Sequence, residues 1–199
     1  TTDSKIEIMN YVGKNSADSI RNYCEENGLS TNAFFTAVFG MALQTYTSSE
    51  QAIFSTIYNG RNDSRMSRSI SMFVKTLPVW FDLAQQETIK DTVLNCQNYL
   101  LSAMANDIYS FAEVSKTYGI GADVLFAYQG EFSETEATEL CGYPVISEDL
   151  SLSQAKALLG IDISLNEDRV EITGEYDPSA YCRALPARKS PRILSKQTG

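Results

Sequence analysis

The sequence of 199 residues contains no histidine. That removes Ser-His and Cys-His nucleophile pairs, histidine metal ligands, and imidazole as a general base near neutral pH. Any chemistry in which this chain takes part needs other groups or another chain. The four cysteines, Cys24, Cys96, Cys141 and Cys182, form no C-x-x-C pair, so neither a zinc knuckle nor a redox motif is spelled. Reduced, mostly buried thiols are expected. Positive charge is scarce: 16 Lys and Arg stand against 25 Asp and Glu, for a formal charge of −9. Binding to a phosphate backbone needs clustered cations that release counterions, so nucleic acid is not an expected partner. No apolar run approaches the roughly 18 residues that span a bilayer, and no charged-then-apolar leader opens the sequence. A cytoplasmic chain with no membrane partner is the expectation.

What is present is the composition of an ordinary globular domain, 43% hydrophobic and 21% charged. The length suits one sizeable α/β domain. Residues 5–12 alternate through Ile6, Ile8 and Tyr11, a strand pattern. A helix is expected from Ser16, with Ile20, Tyr23 and Cys24 at helical spacing and Gly28 as its left-handed cap. The next helix, capped by Ser30 or Asn32, carries apolar residues around nearly its whole circumference from Phe34 to Leu43, which places it at the centre of the domain.

The stretch "AIFSTIYNG" alternates and stops at Asn59-Gly60, a strand entering a turn. A polar loop, "RNDSRMSRS", leads to a second strand, "SMFVKTLPVW", with Phe73, Lys75, Leu77 and Val79 on one face and Met72, Val74 and Thr76 on the other. Residues 86–104 form the cleanest helix, its core face stepping through Ile89, Val93, Cys96, Leu100 and Ala103. A shorter helix holds Phe111, Val114 and Tyr118 and ends at Gly119. "ADVLFAYQG" is a strand, Glu131 to Leu140 an exposed acidic connection, and "IDISL" and "RVEITGEY" a hairpin around Asn166-Glu167-Asp168. Asp177-Pro178 has the composition of a helix start. This mixed order predicts a sheet with helices packed on one or both faces.

At "YNGRNDSRMSRSISMFVKTLPVWFDL" the sequence resembles the condensation domains of nonribosomal peptide synthetases. In that family a strand ends in Gly-Arg, a polar loop follows, and the next strand reads close to G-x-F-V-N-T-L-P. Gly60-Arg61 and Phe73-Val74-Lys75-Thr76-Leu77-Pro78 occupy those places here. "NDIYSFAEV" sits where the family has its N/H-Q-D-Y-P-F-E element, and "ADVLFAYQG" where the strand after it lies. Lys75 replaces the family's usual asparagine, which puts in doubt any hydrogen-bonding role carried over for that position. Phe73 stands where related epimerization domains usually have tryptophan.

The resemblance implies a chloramphenicol acetyltransferase-like lobe of α/β class, a two-layer α+β sandwich with a mixed sheet and packed helices. It covers residues 1–185 as the C-terminal, acceptor-side lobe, separated at a lobe boundary or made by a split gene. Residues 186–199 form a basic tail, Arg188, Lys189, Arg192 and Lys196, expected to be disordered or foreign to the fold. The family's catalytic H-H-x-x-x-D-G motif belongs to the N-terminal lobe, and a chain without histidine cannot contain it. The implied reaction joins acyl or peptidyl and aminoacyl thioesters held by phosphopantetheine on carrier proteins. No catalytic residue, metal ligand or directly bound cofactor is therefore expected in this chain.

The partners implied are the histidine-bearing N-terminal lobe, carrier proteins and adjacent synthetase modules. Gly60, Arg61, Phe73, Lys75, Thr76 and Pro78 are the substrate-channel or lobe-bridging candidates. In that frame Lys75 faces a solvated channel while Val74 packs beneath it, and Pro78 marks a sheet edge or bulge. The face lined by parts of 60–80, left open without its partner lobe, is expected to promote self-association. Two other readings stay open, a non-catalytic carrier-docking lobe and part of a related acyltransferase.

Overall fold

In a computed structural model of the chain, the residues described are 6–60, 69–82, 88–109, 111–121, 123–130, 139–140, 143–144 and 157–178. Strand β1, Ile6–Gly13, runs straight into helix α1, Lys14–Asn27. The helix starts two residues before the expected Ser16, and Gly13 caps it without a side-chain hydrogen bond. Its other end follows the sequence. Gly28 sits at φ 65°, and the N–H groups of Gly28 and Leu29 return to the carbonyls of Glu25 and Cys24.

Ser30 then caps α2, Thr31–Thr47, accepting from the Ala33 N–H at 3.0 Å. Helix α3, Ile89–Ala105, opens on Thr88, which accepts from the Asp91 N–H and donates to its carboxylate. That cap starts the helix later than position 86 and leaves Ile89 exposed, while Val93, Cys96 and Leu100 of the expected face are buried. Helix α4, Phe111–Tyr118, ends at Gly119 as its pattern indicated.

The remaining strands are β2 (Gln51–Tyr58), β3 (Lys75–Asp82), β4 (Val124–Gly130), β5 (Glu139–Leu140), β6 (Tyr143–Pro144), β7 (Leu159–Leu165) and β8 (Arg169–Tyr176). Five of them join β1 in one sheet in the order β1-β8-β7-β4-β2-β3, with β4 parallel to both β2 and β7 and every other pairing antiparallel. β5 and β6 pair with each other, so the acidic segment expected to be a plain connection through Leu140 ends in a short strand; 131–138 lie outside the described residues. The turn between β7 and β8 falls at Asn166-Glu167-Asp168, closed by the Asn166 N–H on the Arg169 carbonyl at 2.8 Å. Arg21 of α1 reaches the Asn166 carbonyl and fixes this hairpin under the helical layer.

Period-two alternation puts Phe54, Val79, Phe81, Phe126, Ile163, Leu165 and Val170 on one sheet face, and α1, α2 and α3 pack there. The result is a two-layer α/β fold. Phe39 of α2 stands 5.0 Å from both Phe54 and Phe126, edge-on to one ring and stacked on the other. Phe54 and Phe126, both fully buried, each contribute about 1.5–3 kcal/mol relative to exposure.

Helix α2 lies at the centre as expected, though not wrapped on all sides, since Val38 and Tyr46 reach solvent. Its buried Gln44 donates to the Glu50 carbonyl, a polar requirement that hydrophobic counting misses. Cys24 and Cys96 are buried free thiols; Cys141 and Cys182, like the basic tail and most of the expected helix after Pro178, lie outside the described residues.

Candidate functional site: the junction of β2 and β3

Gly60, two residues beyond the end of β2, sits at φ 67°. A Cβ built there would lie 1.9 Å from the carbonyl oxygen of Phe73, so the chain closes upon itself at a point where only glycine fits. This contact ties the end of one strand to the approach of the next. It also explains why the second strand is shorter than its sequence pattern: the ladder with β2 begins at the Tyr58–Lys75 pair, and residues 71–74 precede it.

The approach segment is exposed and apolar. Ile70 is fully exposed, Met72 is 85% exposed and Val74 is 54% exposed. They border an open groove of about 620 Å³ that reaches Asn59 and Phe73. Val74 also borders a second groove, of about 470 Å³, between the start of β3 and the α3–α4 turn, where Ile108 and Tyr109 are exposed. The two grooves thus meet at Val74. Val74 does not pack beneath Lys75; its place in the approach, before the ladder begins, leaves it in solvent.

Lys75 is committed. Its Nζ lies 3.0 Å from Asp107 Oδ2 and donates to the Asp107 carbonyl at 2.8 Å. The ammonium ties the first residue of β3 to the turn after α3, and its side chain borders the second groove. With both partners partly solvated the pair stabilises the fold by less than about 1 kcal/mol. Thr76 pairs with Ile57, and Pro78 lies opposite Ser55 on the outermost strand.

The Pro78 carbonyl accepts from the Tyr99 hydroxyl of α3 at 3.1 Å. It therefore points away from β2, and the missing proline N–H falls on the sheet's free edge, the placement the sequence suggested. Burial raises the pKa of Tyr99; a hydrogen bond from the Trp80 backbone works against this and the neighbouring Cys96 adds to it. Burial pushes the Cys96 thiol up to about 12. Trp80 itself is half-exposed, opposite Ile53 on the sheet face away from Phe54 and Val79.

Of the six candidates, Gly60 and Phe73 meet directly, and Lys75, Thr76 and Pro78 follow along β3; Arg61 lies outside the described residues. Asp107, which neutralises Lys75, and Ile108 and Tyr109 lie in the "NDIYSFAEV" element that the resemblance marked, though none was among the six candidates. Among the described residues no group of His, Cys, Asp and Glu is placed to hold a metal ion. Apolar walls, a glycine-locked junction and a neutralised lysine suit binding and positioning.

The mixed six-stranded sheet under one helical layer is of the α/β, chloramphenicol acetyltransferase-like fold class that the resemblance implied. The chain belongs to the condensation-domain family, whose model, "Condensation domain", matches residues 3–187. It is similar to surfactin synthase subunit 1 of Bacillus subtilis (strain 168), 27% identical over 180 residues, covering 86% of this chain and 5% of that protein. Bacitracin synthase 1 of Bacillus licheniformis is 22% identical over 182 residues, covering 88% of this chain and 4% of that one. The chain thus spans about a twentieth of these relatives.

Among solved structures, the condensation domain of the monacolin K polyketide synthase MokA superposes with a TM-score of 0.74 at 13% identity, covering 91% of this chain and 43% of that one. The epimerization domain from the third module of tyrocidine synthetase B gives 0.65 at 14%, covering 89% and 44%. No helix among the described residues is long and apolar enough to cross a membrane.

Proposed function

We propose that this chain is the C-terminal, acceptor-side lobe of a condensation catalyst, completed by a histidine-bearing N-terminal lobe. The observation that carries the reading is the pairing of a chain without histidine with an exposed apolar groove at the family's Gly-Arg and Phe-Val-x-Thr-Leu-Pro elements. Coverage of 43% and 44% of the two solved domains supports a half-domain. In the completed domain, the amine of a carrier-bound aminoacyl thioester attacks the carbonyl of an upstream acyl or peptidyl thioester. A C–N bond forms, the C–S bond breaks, and the upstream phosphopantetheine thiol leaves with the proton.

In this reading the present chain contributes one wall of the channel. Gly60 and Phe73 hold the junction, Lys75 and Thr76 line its approach, and Arg61 is the lobe-bridging candidate. Carrier proteins and adjacent modules are the macromolecular partners, and the phosphopantetheine arms arrive with the carriers.

The test mixes the chain with a matched N-terminal lobe and two loaded carrier proteins and follows the dipeptidyl thioester by mass spectrometry. Product only in the complete mixture is the expected result. Association of the lobes without product would overturn the catalytic reading and leave a carrier-docking lobe in its place.

A further inference from the structure

The far edge of the sheet offers a second interaction surface, independent of the groove. Its geometry follows from the β7–β8 turn. Asn166 and Arg169 form a hydrogen-bonded pair, and antiparallel pairs alternate, so Val170, Ile172 and Gly174 direct their backbone groups toward β1. Their partners Val12, Asn10 and Ile8 are thereby used, and Glu7, Met9 and Tyr11 direct theirs outward. An independent contact agrees: the Tyr11 N–H is held by the Asn10 side chain at 2.9 Å, a local stand-in for an absent neighbouring strand.

Among the described residues this edge has little of the usual protection, Glu7 being its one charged side chain. β1 is eight residues long, with no proline and no lysine, and every residue in it is exposed. Ile8, Met9 and Tyr11 are each more than half exposed. A long apolar edge of this kind is a template for another strand.

We infer that β1 pairs antiparallel with β1 of a second copy of this chain, about a two-fold axis at Met9. In that register the outward groups match: Met9 faces Met9 of the second copy, and Glu7 faces Tyr11, each pair exchanging two N–H···O bonds. Ile6 comes opposite Val12, so the apolar side chains continue across the seam. The same register keeps the two Glu7 side chains from opposing each other and sets each against Tyr11, whose ring lies 5.7 Å from an Arg169 guanidinium already paired with Asp168 and Glu171. The formal charge of −9 on each copy works against association, and salt therefore strengthens the dimer.

Sedimentation analysis across protein concentration tests this, with hydrogen exchange read at the Glu7 and Met9 amides. Dimerisation that grows with salt, together with concentration-dependent protection of those two amides, is expected. Met9→Pro removes an outward donor without touching the β8 ladder, and Met9→Lys sets two like charges opposite each other; each raises the dimer Kd by about tenfold or more. Met72→Ser, in the groove at β3, leaves it unchanged.

A monomer at all concentrations, or a dimer that survives both Met9 variants, overturns the inference. A dimer lost only in Met72→Ser places association at the groove instead. The lobe-complementation assay is read separately, so failure of either proposal does not decide the other.

Discussion

The two edges of the six-stranded sheet are built on opposite terms. β3 is outermost on one side, yet its free backbone is occupied: Pro78 has no N–H to offer, Tyr99 takes the Pro78 carbonyl, and Lys75 fastens the strand's first residue to Asp107. β1 is outermost on the other side and, among the described residues, carries the Asn10 side chain over the Tyr11 N–H. Edge protection is therefore local to the strand beside the groove. A strand whose position shapes a site must not slip or recruit a foreign neighbour, whereas β1 bears no such constraint.

The largest effect expected from breaking this arrangement is at the junction that seats β3. Gly60→Ala meets both an unfavourable φ and the Phe73 carbonyl, and should lower stability by about 3 kcal/mol or more. Gly28 provides the control, because it has nearly the same φ but nothing within 4 Å of a built Cβ. Gly28→Ala should lose only about 1 kcal/mol. Urea unfolding of both variants measures the difference; equal losses would mean that the close approach at Phe73 contributes nothing.

The next effect is alkaline lability at the same edge. Cys96 and Tyr99 both lie on α3 against β3, and both hold their protons more tightly folded than unfolded. Stability from such groups is present below the unfolded pKa and is lost as pH rises toward the folded one. For Cys96 the window runs from an ordinary thiol value of 9.0 to about 12. Between pH 9 and pH 11 the fold should lose about 2 kcal/mol through this thiol. Cys96→Ala should flatten that slope whatever it does to stability at pH 7. An unchanged slope would assign the lability elsewhere.

Much of the fold was legible because local signals and the final packing agree. Gly28, Ser30 and Gly119 end or begin helices where their chemistry dictates, and Val93, Cys96 and Leu100 are buried on the face their spacing marks. What stayed hidden depends on contacts distant in sequence. Nothing local says that β4 inserts between β2 and β7, or that β1 sits at an edge, so the alternation of Ile6 and Ile8 marks a strand without showing that both its faces meet solvent.

At the site, the Gly-Arg and Phe-Val-x-Thr-Leu-Pro elements marked the right junction. The partner of Lys75, 32 residues away at Asp107, was not readable from spacing, and neither was the contact that delays β3 to Lys75. An edge strand announced itself only through Pro78, the one residue whose covalent structure restricts where it can sit.

The smallest expected effect separates the two protections of β3. Tyr99→Phe removes the hydroxyl's hydrogen bonds with the Pro78 carbonyl and the Trp80 backbone and should lower stability by about 1 kcal/mol. It bares both groups, but an incoming strand still finds no donor at Pro78 itself. Self-association should therefore stay at its wild-type level in Tyr99→Phe, and rise only when Pro78→Thr is added to restore the N–H. Sedimentation of the single and double variants distinguishes these cases. Association that rises in Tyr99→Phe alone would make the tyrosine, acting as a cover, the guard of this edge. The two edges of the sheet would then differ by a side chain laid across the backbone, and the proline would matter only for the path of the strand.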